Sequence, residues 1–463
     1  MSGKKKISYS VLSWRYGLCN GFSTMLTTVA ATYWAIFLTD AVGLEAAVMA
    51  SILSVASIVD MVSVPIVGIV MQKVSFKSGK FRPWLIIGAT VAALFRWLSF
   101  CDVGLTGAAR GLWFGGAYVL AYLFFNFCYS AYSGLLPLMA SDPDDRQAFA
   151  SCKNMCNSAG KFLFSMFSVT LIALFGQGND ARGYSMLALL IAVLVVLAYA
   201  QLFACTKKVD VVAAKSTSKD APVKDEYSAS LWEMIRFSIT KPFVIYLLGA
   251  SCKGSAYFII TGLAAYYYTY VVGDKAMLTV YLSMSTFLMI FGSFITPFIS
   301  RWLKGAKQTY RTGLIIYAGC IFLAYFFGKS AIAFTAIFSI GYIGYSIAHT
   351  AEITVYASVV DYSQWKHGRD LKPFMMSLFN LVPKIGTTVG AFVMGWGLVA
   401  VGFDKANVTE SAVQGIRMLF SLVPGAILII GIIMFIIFPL NDEKVRQMQQ
   451  EIRERKAKEA AAK

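Results

Sequence analysis

Apolar runs recur from one end of the chain to the other, each about twenty residues long and so able to cross a hydrocarbon core, and each stopped by a short polar or glycine-containing break. This pattern predicts twelve spanning helices, at roughly 17–39, 45–72, 84–101, 111–139, 148–176, 183–206, 241–271, 277–300, 312–328, 330–359, 373–401 and 414–439. The longest polar interruption separates six of them from the other six. The expected organisation is an N-terminal six-helix half (1–205), a cytoplasmic linker (206–240), a C-terminal six-helix half (241–440) and a charged cytoplasmic tail (441–463). A faint repeat relates the halves: helices 2 and 8 contain Pro65 and Pro297, and each is followed by a basic loop and a new apolar run. Two such halves around a central path predict an all-α membrane protein of the major facilitator type.

Composition excludes the soluble alternative. Of 463 residues, 58% are hydrophobic and 14% charged, where a soluble domain carries roughly 25% charged. The net charge of +17 does not mark a nucleic-acid binder, because the basic residues lie in short loops and the tail instead of on one soluble face. With both termini in the cytoplasm, Lys4 to Lys6, Arg15, Lys73 to Arg82, Arg301 to Arg311, Lys366 to Lys372 and the tail all fall on that side, a strong positive-inside bias. In the helix 2–3 loop, Lys80 and Arg82 are expected to hold that topology and, with Asp361, to form a cytoplasmic gate. Eight cysteines without a CxxC pair, and only two histidines, give free thiols and no resident metal site. A phosphate loop, a GxSxG elbow and an HExxH motif are all lacking, which argues against an enzyme and against a cofactor.

The informative residues are the charges inside apolar runs, since each costs at least about 2.5–3.5 kcal/mol to insert and demands a partner or a wet cavity. These are Asp60, Lys161, Lys253, Glu352 and Lys384, with Lys153 nearer a helix end. Polar stripes at helical spacing surround them. Helix 1 carries Asn20, Ser23, Thr24, Thr27 and Thr28, either a cavity wall or helix–helix glue. Helix 4 aligns Tyr118, Tyr122, Asn126 and Tyr129; helix 5 aligns Asn157 with Lys161; helix 7 aligns Lys253, Tyr257 and Thr261; helix 11 aligns Asn380, Lys384 and Thr387. These faces, with Lys153, are the expected substrate contacts. Helix 2 sets Ser57 and Ser63 about Asp60, oxygen ligands suited to a proton or a transported sodium ion, or to a structural pair with a lysine. On helix 10, His349 and Glu352 are one turn apart and able to share a proton or to form a satisfied pair.

"DMVSVPIVGIVMQ" (60–72) leading to "GKFRPWLIIG" (79–88), "FLTDAVGL" (37–44), "VVDYSQWKHGRD" (359–370) and "FMMSLFNLVPKIG" (374–386) together resemble the glycoside–pentoside–hexuronide:cation symporter family, typified by melibiose permease. The resemblance implies a bacterial inner-membrane transporter, monomeric and surrounded by lipid, that moves a small carbohydrate-type solute with a proton or sodium ion. It implies a coupling region at Asp60 and Lys384, to which Glu352 and His349 are added from their positions. The family's second helix-2 acid is replaced by Val64 before Pro65, which favours proton coupling. Thr24 and Tyr129 stand where sugar-binding members carry acids, and Lys153 or Asn154 stands where they carry an arginine. Loss of those acids beside several lysines points to an anionic solute, such as a hexuronate or glucuronide. A lipid or amphiphile carrier of the same fold is the alternative, and a non-transporting membrane sensor a more remote one.

Overall fold

The computed structural model describes residues 11–74, 76, 81–139, 143–206, 236–303, 305–328, 330–368, 375, 378–379 and 381–461. Helices α1 (Val11–Ile36), α2 (Ala46–Lys73), α3 (Arg82–Leu98), α4 (Gly107–Met139), α5 (Pro143–Gly176) and α6 (Asp180–Cys205) form one bundle. A second bundle comprises α7 (Lys241–Tyr266), α8 (Lys275–Trp302), α9 (Ala306–Phe327), α10 (Ala331–His367), α11 (Leu381–Ala400) and α12 (Glu410–Ile437), followed by α13 (Asp442–Ala461). Eleven of the first twelve are long and apolar enough to cross a bilayer; α3, at 17 residues, is the short one. Most of 206–240 lies outside the described residues.

Local chemistry sets where the helices begin. Asn179, Asp274, Ser330 and Thr409 precede α6, α8, α10 and α12, and each side chain accepts a backbone N–H of the first turn. These four caps lie at the end of the bundles remote from both termini. Sequence periodicity misplaced some boundaries. α10 runs eight residues beyond its expected end at 359, through "DYSQWKH", before Gly368 at φ +68° stops it. That polar extension needs no lipid, because α13 packs on it: Gln449 donates to Asp361 at 2.7 Å and the Trp365 indole donates to Glu451 at 2.6 Å. The described part of α11 is Leu381–Ala400, and its expected start at 373 lies outside the described residues.

The halves are internally similar. α1 and α7 are each 26 residues long, and each finishes in a five-residue π-helical turn, Phe37–Ala41 and Tyr267–Val271. A glycine at φ +76°, Gly43 or Gly273, follows each turn, a left-handed backbone that side chains with a Cβ resist. Within each half, helices meet backbone to backbone at glycines, and two of these approaches flank the cavity lysines. A Cβ on Gly160 of α5 would lie 2.5 Å from the Gly21 carbonyl oxygen of α1, and one on Gly386 of α11 would lie 3.0 Å from Gly254 Cα of α7. Small residues permit that approach in lipid, and it fixes the depth at which the neighbouring Lys161 and Lys384 emerge. Between halves, α2 packs on α11, α5 on α8 and α1 on α7.

Candidate functional site

At mid-depth between the halves lies a cavity of about 280 Å³, near the lower end for small-molecule sites, about 300–1,000 Å³. Its wall combines Thr24, Thr27 and Thr28 of α1, Ser57 and Asp60 of α2, Tyr118 and Tyr122 of α4, Lys161 of α5, Tyr257 and Thr261 of α7, and Lys384 and Thr387 of α11. A smaller space of about 40 Å³ shares Thr28, Lys161, Tyr257 and Thr261 with it. The helix 1 stripe is therefore divided in its work. Thr24, Thr27 and Thr28 face the cavity, while the Ser23 hydroxyl pairs with the buried Tyr199 hydroxyl of α6 at 2.7 Å and Asn20 is buried.

Asp60 is the most heavily held group in the wall. One carboxylate oxygen accepts from Lys384 Nζ at 2.6 Å and the other from Asn126 Nδ2 at 2.8 Å. The same amide donates to Ser63 Oγ at 2.8 Å, and Lys384 lies 3.4 Å from Asn126 Oδ1. Since α2 belongs to one half and α11 to the other, this ion pair bridges the seam. Its side chains keep 11% (Asp60) and 26% (Lys384) exposure, so the pair is reached from the cavity.

Lys161 has no ion pair among the described residues; its Nζ lies 5.9 Å from the centre of the Tyr257 ring. Tyr257 stacks on Tyr345 (centroids 4.7 Å apart), and Tyr345 stacks on His349 (5.7 Å). That ladder leads to a second charged centre within the C-terminal half. Lys253 donates to Glu352, and His349 Nδ1 stands 3.2 Å from the same carboxylate oxygen and 3.3 Å from Lys253 Nζ. Lys253 and Glu352 are almost wholly enclosed, with side chains 4% and 8% exposed, whereas His349 is 62% exposed.

The remaining expected contacts are spread out. Asn157 does not line the cavity but accepts from Thr24, fixing that hydroxyl. Tyr129 and Lys153 form their own pair at 3.4 Å, away from the cavity wall. Arg82 donates through Nε and Nη2 to the Phe203 carbonyl at 3.0 and 2.8 Å, tying α3 to α6. Lys80 and Asn380 lie outside the described residues. Sequence reading gave no weight to Phe258 or Pro383, which also line the cavity; as apolar residues in apolar runs they carry no signal of their own.

The end of the molecule away from the termini is closed across the halves. Tyr270 donates its hydroxyl to the Asp40 carboxylate, Lys405 donates to the Asp40 carbonyl, and Thr39 shares a 2.8 Å hydrogen bond with the Tyr266 hydroxyl. Lys275 of α8 pairs with Asp180 of α6 at 2.6 Å. Asp40 and Tyr270 occupy matching places in the two π-helical turns, so related positions of the halves meet at this closure.

Comparison with known proteins agrees with this architecture. A "Putative glycoside/cation symporter YagG" of Escherichia coli (strain K12) is 24% identical over 96% of this chain and 95% of its own length. A "Putative 2,3-dihydroxypropane-1-sulfonate exporter" of Salmonella typhimurium is 25% identical over 95% of each. Among solved structures, a bacterial homolog of the human lysosomal transporter Spinster superposes with a TM-score of 0.73 at 14% identity, covering 97% of this chain and 99% of that one, which establishes a shared major facilitator fold. The family model described as MFS/sugar transport protein matches residues 16–442, and the chain belongs to that family.

Proposed function

We propose that the chain is a secondary active transporter that moves a small acidic carbohydrate, of the hexuronate or glucuronide type, by alternating access coupled to a proton or sodium ion. One observation carries the anionic preference: among the described residues, Lys161 lines the central cavity without a carboxylate partner, while the only acid in that wall, Asp60, is already neutralised by Lys384. A half-buried cation facing a membrane cavity without a counter-charge invites one, and an anionic solute would supply it. Thr24, Tyr122 and Tyr257 then offer hydroxyls and aromatic faces to the sugar ring.

Coupling follows from the seam pair. Lys384 acts as an internal counter-cation for Asp60, so a proton or sodium ion that takes the carboxylate releases Lys384 and loosens α2 from α11. Val64, in place of a second acid, leaves Asp60 as a lone carboxylate held by Lys384 and the Asn126 amide, which favours the proton. His349, the exposed member of the second centre, is the further candidate for proton exchange with Glu352. In this reading 1–205 and 241–440 rock against each other about the cavity, joined by the 206–240 linker. Both termini and the 441–463 tail face the cytoplasm of a bacterial cell, with Lys80, Arg82 and Asp361 at the cytoplasmic gate, and the monomer is the working unit.

Uptake into membrane vesicles tests the reading. Glucuronate accumulation that collapses with a protonophore and is indifferent to sodium is expected. Competition by methyl β-glucoside with no effect of glucuronate would end the acidic-solute proposal, and sodium stimulation that survives the protonophore would replace the proton.

A further inference from the structure

Arg96 stands in the last turn of α3, 2% exposed, and its Nε and Nη1 have no hydrogen-bond partner among the described residues. A helix C-terminus offsets a nearby cation by about 0.3–1 kcal/mol, well short of the several kcal/mol that burying an ion costs. What faces the guanidinium is aromatic: its Cζ lies 4.5 Å from the Tyr122 ring centre and 4.9 Å from that of Tyr118. Both tyrosines form part of the cavity wall, and Trp34, stacked on Tyr118 at 3.8 Å, holds that ring in place. The Tyr118 hydroxyl donates to the Tyr122 hydroxyl at 3.4 Å, so the Tyr122 proton is left for an acceptor in the cavity. Lys384 Nζ is also 6.0 Å from the Tyr122 ring centre, which places Tyr122 within reach of two cations.

We propose that Arg96 is a positioning residue for solute recognition. From behind the cavity wall it holds the Tyr118 and Tyr122 rings and draws electron density from them, so that Tyr122 presents a strengthened O–H donor to an acceptor oxygen of the solute. The sequence gives Arg96 the look of a helix-end charge; packing turns it into a third cation around a site with one carboxylate. The proposal rests on the acidic-carbohydrate reading above, and the test separates the two.

The probe is the 13Cζ tyrosine NMR signal of Tyr122 in purified protein, identified by its loss in Tyr122→Phe, recorded with and without glucuronate and methyl β-glucoside. Arg96→Met is expected to move the signal of the unliganded protein and Arg96→Lys to move it partway. Glucuronate should shift it in the native protein and in Arg96→Lys, and in Arg96→Met only with half-saturation raised about tenfold, a loss that glucuronate uptake reads independently of the signal. In a Tyr122→Phe background, Arg96→Met should add little to that loss, which a merely structural arginine would not predict. A Tyr122 signal indifferent to both Arg96 substitutions overturns the proposal; if the methionine variant does not fold, the lysine variant decides alone. A signal that follows Arg96 but answers to neither sugar supports the arginine's hold on the ring and overturns the solute reading.

Discussion

Among the described residues, two lysine–carboxylate pairs lie deep within the bundles, away from the closed end where Lys275 meets Asp180, and they differ in what they join. Asp60–Lys384 links α2 to α11 across the seam between halves and is open to the cavity. Lys253–Glu352 links α7 to α10 inside one half and is nearly sealed, with only His349 reaching outward. A pair within a rigid half travels with it, so its geometry survives a rocking motion; a pair across the seam is strained or broken by the same motion. In the proposed motion, identical chemistry would therefore serve constant charge balance in one place and a position-dependent contact in the other. Burial sharpens the difference, since the sealed pair has no water to take over if one partner is lost.

The largest expected effect is on the sealed pair. Lys253→Met should destabilise the folded protein by about 3–5 kcal/mol, the penalty for an uncompensated buried charge, and Lys253→Met with Glu352→Gln should recover most of it. Thermal unfolding of purified protein reads both; full stability in the single variant would remove the contrast between the pairs. Next, Asp60→Asn should leave folding nearly intact, because its surroundings are wetter, yet reduce concentrative glucuronate uptake at least about tenfold while downhill exchange continues. Equal loss of exchange and accumulation would make Asp60 structural after all.

Lys161→Gln places the comparison against a cation that belongs to neither pair. Its folded stability should change by no more than about 0.5 kcal/mol, while glucuronate half-saturation rises about tenfold or more, the worth of a charged hydrogen bond at about 1.5–3 kcal/mol. Methyl β-glucoside should be unaffected if it binds. The smallest effect concerns the closed end: Tyr270→Phe removes one cross-half hydrogen bond, worth about 1 kcal/mol, and should raise the rate at which a cysteine introduced at Thr39 is alkylated about fivefold. An unchanged rate would mean that Lys405 and Lys275 keep that end shut without Tyr270.

Much of the fold was legible because lipid enforces a simple rule: a spanning segment must satisfy its backbone internally and show apolar side chains outward. Twelve helices followed from length and hydropathy, and glycine or capping residues mark several of their ends. The two π-helical turns were not legible, since "FLTDA" and "YYTYV" fit an ordinary helix equally well. The extra turns of α10 were missed because "DYSQWKH" is polar, and only docking of α13 explains why a helix persists there.

For the candidate site, the sequence by itself determined the inventory of membrane charges and the faces on which they lie, because an ion in lipid is too costly to be incidental and helical periodicity is local. It could not assign partners. Lys384 to Asp60, Lys253 to Glu352, Lys161 to neither and Arg96 to a pair of tyrosine rings are tertiary decisions, made where helices far apart in the chain come within a few ångströms. The physical reason is the range of the forces involved: hydropathy acts on each helix alone, whereas an ion pair or a cation–π contact exists only at a distance that the packing of two helices sets.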